Sequence, residues 1–200
     1  KHGLIFGIDA WDNEAALDGM IDEANRAWWG KLNLKSVHDN LLLHIKQQNL
    51  GDFCKLIKAK SEDAVTRFLD NSIDLLHIDG NHAEHVSFND ALIYLPKVKN
   101  EGYIVVTDFL WQEGGKDQTK KALAYLLEHC EYIDVVKNCV ILRKTDRPKA
   151  HYDNPHDIMQ YGKRLDFHPA IEGDCDAARI VPTLVNKYPP KSVLDFGCNS

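Results

Sequence analysis

Cysteine is scarce and unpatterned in this 200-residue chain: there are five, Cys54, Cys130, Cys139, Cys175 and Cys198, with no CxxC pair. An odd number without paired spacing argues against a disulfide framework or a thiolate zinc site. It suits free thiols in a reducing compartment, which makes the cytoplasm the expected location. The ten histidines are equally dispersed, and no HExxH sets two of them on one helix face. No apolar run approaches the ~18 residues of a membrane span. Basic residues are outnumbered, 24 Lys and Arg against 30 Asp and Glu for a net charge of −6, so a strongly basic nucleic-acid surface is not expected. Lys55, Lys58 and Lys60 alternate with other residues on one predicted strand and read as a solvated face. Neither GxGxxG nor GxxxxGK is present, which argues against an enzyme that cradles the phosphates of a nucleotide or dinucleotide. Internal repeats and low-complexity segments are absent too.

What is present is alternation. Hydrophobic residues make up 44% of the chain, enough for one core-bearing domain with an appendage. Leu4–Asp9 reads as a buried strand. Asp12-Asn13-Glu14 supplies capping chemistry for a helix to about Trp29, with Gly30 as a stop. Leu34, Val37, Leu41, Leu42 and Ile45 fall at helical spacing over Leu34–Gln48. A strand over Phe53–Ala59 leads to a helix capped by Ser61 and running to about Leu69. Ile73–Asp79 is a further strand, followed by a helix from Glu84 to Val98 with Pro96 near its end. Gly102–Asp108 is the most β-branched run, and a helix over about Lys116–His129 follows it. Tyr132–Val136 and Cys139–Arg143 flank Lys137-Asn138 as a tight hairpin. Four strand–helix alternations before a hairpin predict an α/β fold: a doubly wound, mostly parallel sheet with an antiparallel terminal hairpin. From Thr145 to about Asp174 periodicity fades into Pro, His, Asp and Tyr, which reads as a linker. A helix over about Asp176–Tyr188 and an apolar strand at Ser192–Phe196 close the chain.

Three strands end in acids, Asp9, Asp79 and Asp108. Open α/β sheets bind ligands at the carboxyl edge, and an acid ending a strand can accept two hydrogen bonds from a ribose diol. Taken singly, each acid also reads as a helix cap or turn residue. Three on successive strand ends favour a shared site. His82, in the Asp79-Gly80-Asn81-His82 turn, has the titration range of a general base and equally that of a loop histidine capping the next helix. His77 lies within its strand and reads as a buried, hydrogen-bonded residue. The pair Trp28-Trp29 reads as packing rather than as a pocket cap.

Two segments carry a family resemblance. GIDAWDNEAAL resembles the second-strand segment of the methyltransferase type 24 family. HIDGNHAEHVSFNDALIYLPKVKNEGYIVVTDF resembles its segment from the fourth strand to the fifth, with a strand-Asp-Gly-x-His turn, a helix and a Gly-strand-Asp. That family has the Rossmann-like fold of class I S-adenosylmethionine methyltransferases, and the similarity covers about residues 3–144. The family's opening strand, glycine turn and first helix are missing from the N-terminus. At the other end, Val193-Leu194-Asp195-Phe196-Gly197-Cys198 is similar to the VLDxGCG first-strand motif of the same class.

The resemblance implies S-adenosylmethionine as cofactor and methyl transfer to a small-molecule hydroxyl, a sugar or natural product, as the reaction. Asp9 would hold the ribose hydroxyls and Trp11 would lie beside the adenine, although a core or lid aromatic is an equal reading of Trp11. Ser61 and Glu62 would approach the adenine amino edge; a cap and a first-turn acid describe them as well. Asp195 and Gly197 would contribute from the terminal motif. Asp79 would stand at the reacting centre with His82 as base. Asp79 and Asp108 resemble the aspartates that bind Mg²⁺ in metal-dependent O-methyltransferases, but Phe109 stands where those enzymes carry a further ligand, so metal use is left open. A non-catalytic methyltransferase-like structural or interaction domain is the alternative reading. The expected organisation is a methyltransferase-like domain over 1–145, a linker over 146–175, and a helix and strand over 176–200 that resemble the start of a second methyltransferase domain in a longer parent chain. A permuted order is the rival, in which Ser192–Phe196 supplies the missing strand, from the same chain or by swapping within a homo-oligomer. Small molecules are the expected partners, with neither nucleic acid nor membrane.

Overall fold

Strands form where short apolar runs are rich in β-branched residues and leucine, and the most buried of them lie within the sheet rather than at its edge. The computed structural model describes residues 3–146 in full and the backbone of 192–196. β1 (Leu4–Asp9), β2 (Cys54–Lys58), β3 (Ile73–Ile78) and β4 (Val98–Val106) alternate with helices, as the sequence predicts. β3 is buried at almost every position, the pattern of a parallel strand covered on both faces. β2 keeps Lys55 and Lys58 exposed and forms an edge. Lysine on an edge strand discourages pairing with another chain.

The helices around this sheet depart from expectation at four places. The helix expected from 12 to 29 is two: α1 (Asn13–Leu17), capped by Asp12, and α2 (Glu23–Lys31), capped by Asp22. Gly19 separates them at φ +67°, where an added Cβ would fall 2.5 Å from the His85 ring. Neither the conformation nor the space admits another side chain. Gly30 lies inside α2, and Leu32 takes the C-cap. α3 (Leu34–Gln47) is capped by Asn33. α4 (Ser61–Ala64) is a single turn continued as 3₁₀ over Val65–Arg67; Lys60, not Ser61, occupies its N-cap position. The Ser61 hydroxyl is engaged by Asp90 instead. α5 (Glu84–Tyr94) yields to a 3₁₀ turn at Leu95–Lys97. There Pro96 has no N–H with which to continue the α pattern. Finally, β5 (Gln112–Glu113) and β6 (Lys116–Asp117) make a small hairpin around Gly114 and Gly115, both at positive φ, so the next helix, α6 (Lys120–His129), starts only at Lys120.

The main sheet has the order β2-β1-β9-β3-β4-β8-β7, with β7 (Cys130–Val136), β8 (Cys139–Lys144) and β9 (Ser192–Phe196). β8 is antiparallel to β4, and β7 to β8, closing the expected hairpin. The terminal strand does not stand apart. β9 runs parallel to β1, with Leu4 opposite Ser192 and Ile8 opposite Phe196, and parallel to β3, with Leu75 opposite Val193 and His77 opposite Asp195. It thereby pairs backbone groups that β1 and β3 would otherwise bury unmatched. The expected boundaries at 145/146 and 175/176, and the helix expected over 176–188, fall largely in 147–191, outside the described residues.

Ala91 and Tyr94 of α5 and Leu123 and Leu126 of α6 share one core cluster with Leu76, Ile104, Val140 and Leu142 of the sheet, all fully buried. His77 is buried and shares a 2.6 Å hydrogen bond with the Thr107 hydroxyl, as its position within the strand implied. No helix among the described residues is long and apolar enough to cross a membrane.

Candidate active site

The chain leaves the parallel strands in loops at one edge of the sheet, and two neighbouring cavities open there. The larger, about 320 Å³, is lined by Asp9 at the end of β1 and Ala10 after it, by Lys60, Ser61 and Glu62 after β2, and by Asp90 of α5. The smaller, about 160 Å³, is lined by Asp79, His82, Asp108, Trp111 and Glu113, with Met20 and Trp29 from the α1–α2 region. Ala16, Gly80 and Asn81 border both. Asn81 holds the partition in place: its amide donates to the carbonyls of Ala15 (3.1 Å) and Asp18 (2.8 Å), and its oxygen accepts from the Ala83 N–H.

In the larger cavity, Asp9 Oδ1 accepts the Trp11 backbone N–H at 2.5 Å. Trp11, which the resemblance put beside a bound adenine, does not line that cavity. It is buried at 3% exposure and packs on His38, its residue at φ +43°. A left-handed φ turns this large ring away from the strand direction and into the protein. Ser61 and Glu62 do line the cavity, Ser61 with its hydroxyl donating to Asp90. Asp195 pairs through its backbone with Gly7 and His77. Gly197 lies outside the described residues.

In the smaller cavity, Asp79, His82 and Asp108 converge, with potential ligating atoms all within 4.8 Å of one another. His82 Nε2 stands 3.7 Å from Asp108 Oδ2 and 4.0 Å from Asp79 Oδ1. Neither distance is a hydrogen bond, and His82 Nε2 is buried without a partner. Burial holds the imidazole below its ordinary pKa, against the opposing pull of the Asp108 carboxylate. A neutral ring with an unpaired nitrogen is equipped to accept a proton. Its face is fixed by stacking on Trp111 at a centroid distance of 5.3 Å. Asp108, at φ +49°, is steadied by the Asn138 amide, which donates to Oδ1 at 2.6 Å. This is the work of Lys137-Asn138 between β7 and β8, which the sequence marks only as a turn.

A family profile described as a methyltransferase domain matches residues 1–109. The chain belongs to this methyltransferase family. Among solved structures, the O-methyltransferase NovP is similar at a TM-score of 0.52 and 16% identity, over 71% of this chain and 60% of that one. The chain thus spans less than two thirds of NovP's length. A Burkholderia thailandensis 1,6-didemethyltoxoflavin-N1-methyltransferase, solved with 1,6-didemethyltoxoflavin and S-adenosylhomocysteine, is similar at a TM-score of 0.41 and 10% identity, over 72% of each chain. At such identities the NovP likeness shows the fold alone, a Rossmann-like α/β methyltransferase fold. No curated protein matches.

The smaller cavity also takes in residues that were not expected at a site. Trp29 lines the smaller cavity and packs edge-to-face on Trp28, 4.8 Å between ring centroids, while Trp28 is 55% exposed. Glu113, buried at 5%, accepts from the Ile21 N–H at 2.8 Å and from the Asn25 side chain at 3.2 Å. It ties the β5–β6 hairpin to the α1–α2 connection over the cavity. No periodicity signals such a tether, because its partners lie some 90 residues away in sequence.

Proposed function

We propose that this methyltransferase carries a methyl group from S-adenosylmethionine to a hydroxyl of a small molecule, a sugar or natural product. The reading rests on one observation: two cavities meet at Gly80-Asn81, one bordered by a strand-end carboxylate and the other by an imidazole whose buried Nε2 has no hydrogen-bond partner. Asp9, at the carboxyl end of β1, fits a ribose diol. Ser61 and Glu62 fit the amino edge of an adenine, with Asp195 and Gly197 as further contributors from the terminal motif. When bound, the cofactor supplies an electrophilic methyl group on a sulfonium. His82 takes the hydroxyl proton on Nε2, and Asp79 and Asp108 stabilise the imidazolium that results. The enclosing loops align the reacting oxygen and carbon and exclude water; alignment is the larger part of what such a fold contributes. Its description as an O-methyltransferase makes NovP consistent with an oxygen acceptor.

Asp79 and Asp108 also fit a hard divalent cation, which prefers oxygen ligands and would make an acceptor hydroxyl more acidic. The third donor in the cluster is a nitrogen, His82, which suits a borderline transition metal better than Mg²⁺. Calorimetric titration with S-adenosylhomocysteine tests the cofactor, and methyl transfer across a panel of hydroxylated acceptors tests the reaction. No binding would leave the non-catalytic domain as the reading. Activity lost to EDTA and restored by Mg²⁺ would assign Asp79 and Asp108 as ligands; activity that survives EDTA assigns deprotonation to His82 alone.

A further inference from the structure

The larger cavity contains a carboxyl that the reaction above does not use. Asp90, on α5, is 3% exposed yet lines the cavity. Its Oδ1 accepts from the Ser61 hydroxyl. Its Oδ2 lies toward Gly80, another lining residue, where an added Cβ would stand 3.5 Å from it. Ser61 is itself held, its carbonyl accepting from the Tyr94 hydroxyl at 2.7 Å. Around Asp90 stand Lys60, Ser61 and Glu62 at the start of α4, Asp9 from β1, and His85 and Tyr94 on its own helix. From α6, Lys121 sits over the Phe88 ring. Among the described residues no cation pairs with Asp90. Burial therefore pushes its carboxyl up to about 7; the Glu62 charge adds to the rise and the Ser61 hydrogen bond opposes it.

Two chemical forms of one side chain thus face the cavity. An ionised carboxylate only accepts hydrogen bonds, whereas the acid donates one O–H. N1, N3 and N7 of a 9-substituted adenine are acceptors, so a carboxylate placed against one sets acceptor to acceptor. The acid does not. Resting on the S-adenosylmethionine reading of this cavity, we propose that Asp90 in its acid form is a specificity residue, donating from Oδ2 to the N1 acceptor of the adenine while Ser61 and Glu62 take the amino edge. A purine with N1–H, such as hypoxanthine, presents a donor to that donor and is refused. Discrimination of this kind is strong because the mismatch leaves buried polar groups unpaired.

The acid form is consumed as pH rises, so affinity should be lost above about pH 7. The test is calorimetry of the full chain with S-adenosylhomocysteine from pH 6 to 8.5, beside Asp90→Asn and the 1-deaza analogue, which has C–H in place of N1. Wild-type affinity should be level at the acid end and then fall by up to about tenfold per pH unit. Asp90→Asn, whose amide donates at every pH, should keep the low-pH affinity throughout. The 1-deaza ligand should bind more weakly, with a level profile. Titration of His85 or Lys60 would appear in Asp90→Asn as well, so the difference between the two proteins isolates Asp90. A level wild-type profile, or an Asp90→Asn profile that falls with the wild type, overturns the proposal. Should Asp90→Asn fail to fold, a 1-deaza profile falling in parallel with that of the natural ligand overturns it, and a level one supports it. No binding at any pH overturns the cofactor reading and this proposal with it.

Discussion

Asp90 should make the stability of this domain depend on pH, whether or not any ligand binds. Its carboxyl titrates at about 7 in the folded chain against an ordinary value of 3.8. The folded value is the higher, so the unfolded state releases its proton first. The contribution is therefore fully present below the unfolded value and is lost as pH rises from about 4 to about 7. A shift of about three units at ~1.36 kcal/mol each amounts to about 4 kcal/mol across the whole window. Between pH 5 and pH 8.5 the loss should be about 3 kcal/mol. Asp90→Asn has the same shape, can keep its carbonyl toward the Ser61 hydroxyl, and has no charge to bury. Urea unfolding of both proteins at several pH values gives the difference directly, with other titrating groups cancelling. The gap should widen in favour of the variant as pH rises and level off above about pH 7.5. Curves that stay parallel from pH 5 to 8.5 would show that Asp90 is solvated or paired when ionised and would refute the reasoning.

Other outcomes follow from single contacts. Asp9→Asn replaces a charged acceptor with a neutral one and should weaken S-adenosylhomocysteine binding about ten- to a hundredfold by calorimetry, with unfolding unchanged. His82→Gln should lower kcat by about 10²–10⁴-fold while leaving S-adenosylhomocysteine affinity intact, because the ring lies in the other cavity. Affinity and kcat falling together would place His82 in cofactor binding. Glu113→Ala leaves the Ile21 and Asn25 donors without their acceptor and should cost about 1–3 kcal/mol in urea unfolding. Hydrogen exchange should quicken locally at 20–25 if that carboxylate is the tether.

The local pattern carries much of the fold: Ile73–Asp79 and the Gly102–Val106 half of β4 read as strands from residue types, whereas the polar Lys99-Asn100-Glu101 start of β4 does not. The hairpin at Lys137-Asn138 is legible for the same local reason. Helix interruptions are less so: Asp12 and Asp22 both cap, yet only the His85 ring above Gly19 shows why one helix became two. The Ser61 cap fails because Asp90, 29 residues later, takes its hydroxyl.

By itself the sequence determined that Asp9, Asp79 and Asp108 stand at or just past the carboxyl ends of three strands, that His82 follows an Asp-Gly turn, and that Ser192–Phe196 is an apolar strand. Residue type and period suffice for those statements because strand formation and turn chemistry act over a few positions. Only the tertiary structure decided that Asp79, His82 and Asp108 share one cavity while Asp9 borders another, that Trp11 turns inward, and that β9 lies between β1 and β3. Those outcomes depend on which strands become neighbours. The neighbours are set by the need to pair buried backbone and cover apolar faces across the whole chain, a condition that no short stretch of sequence contains.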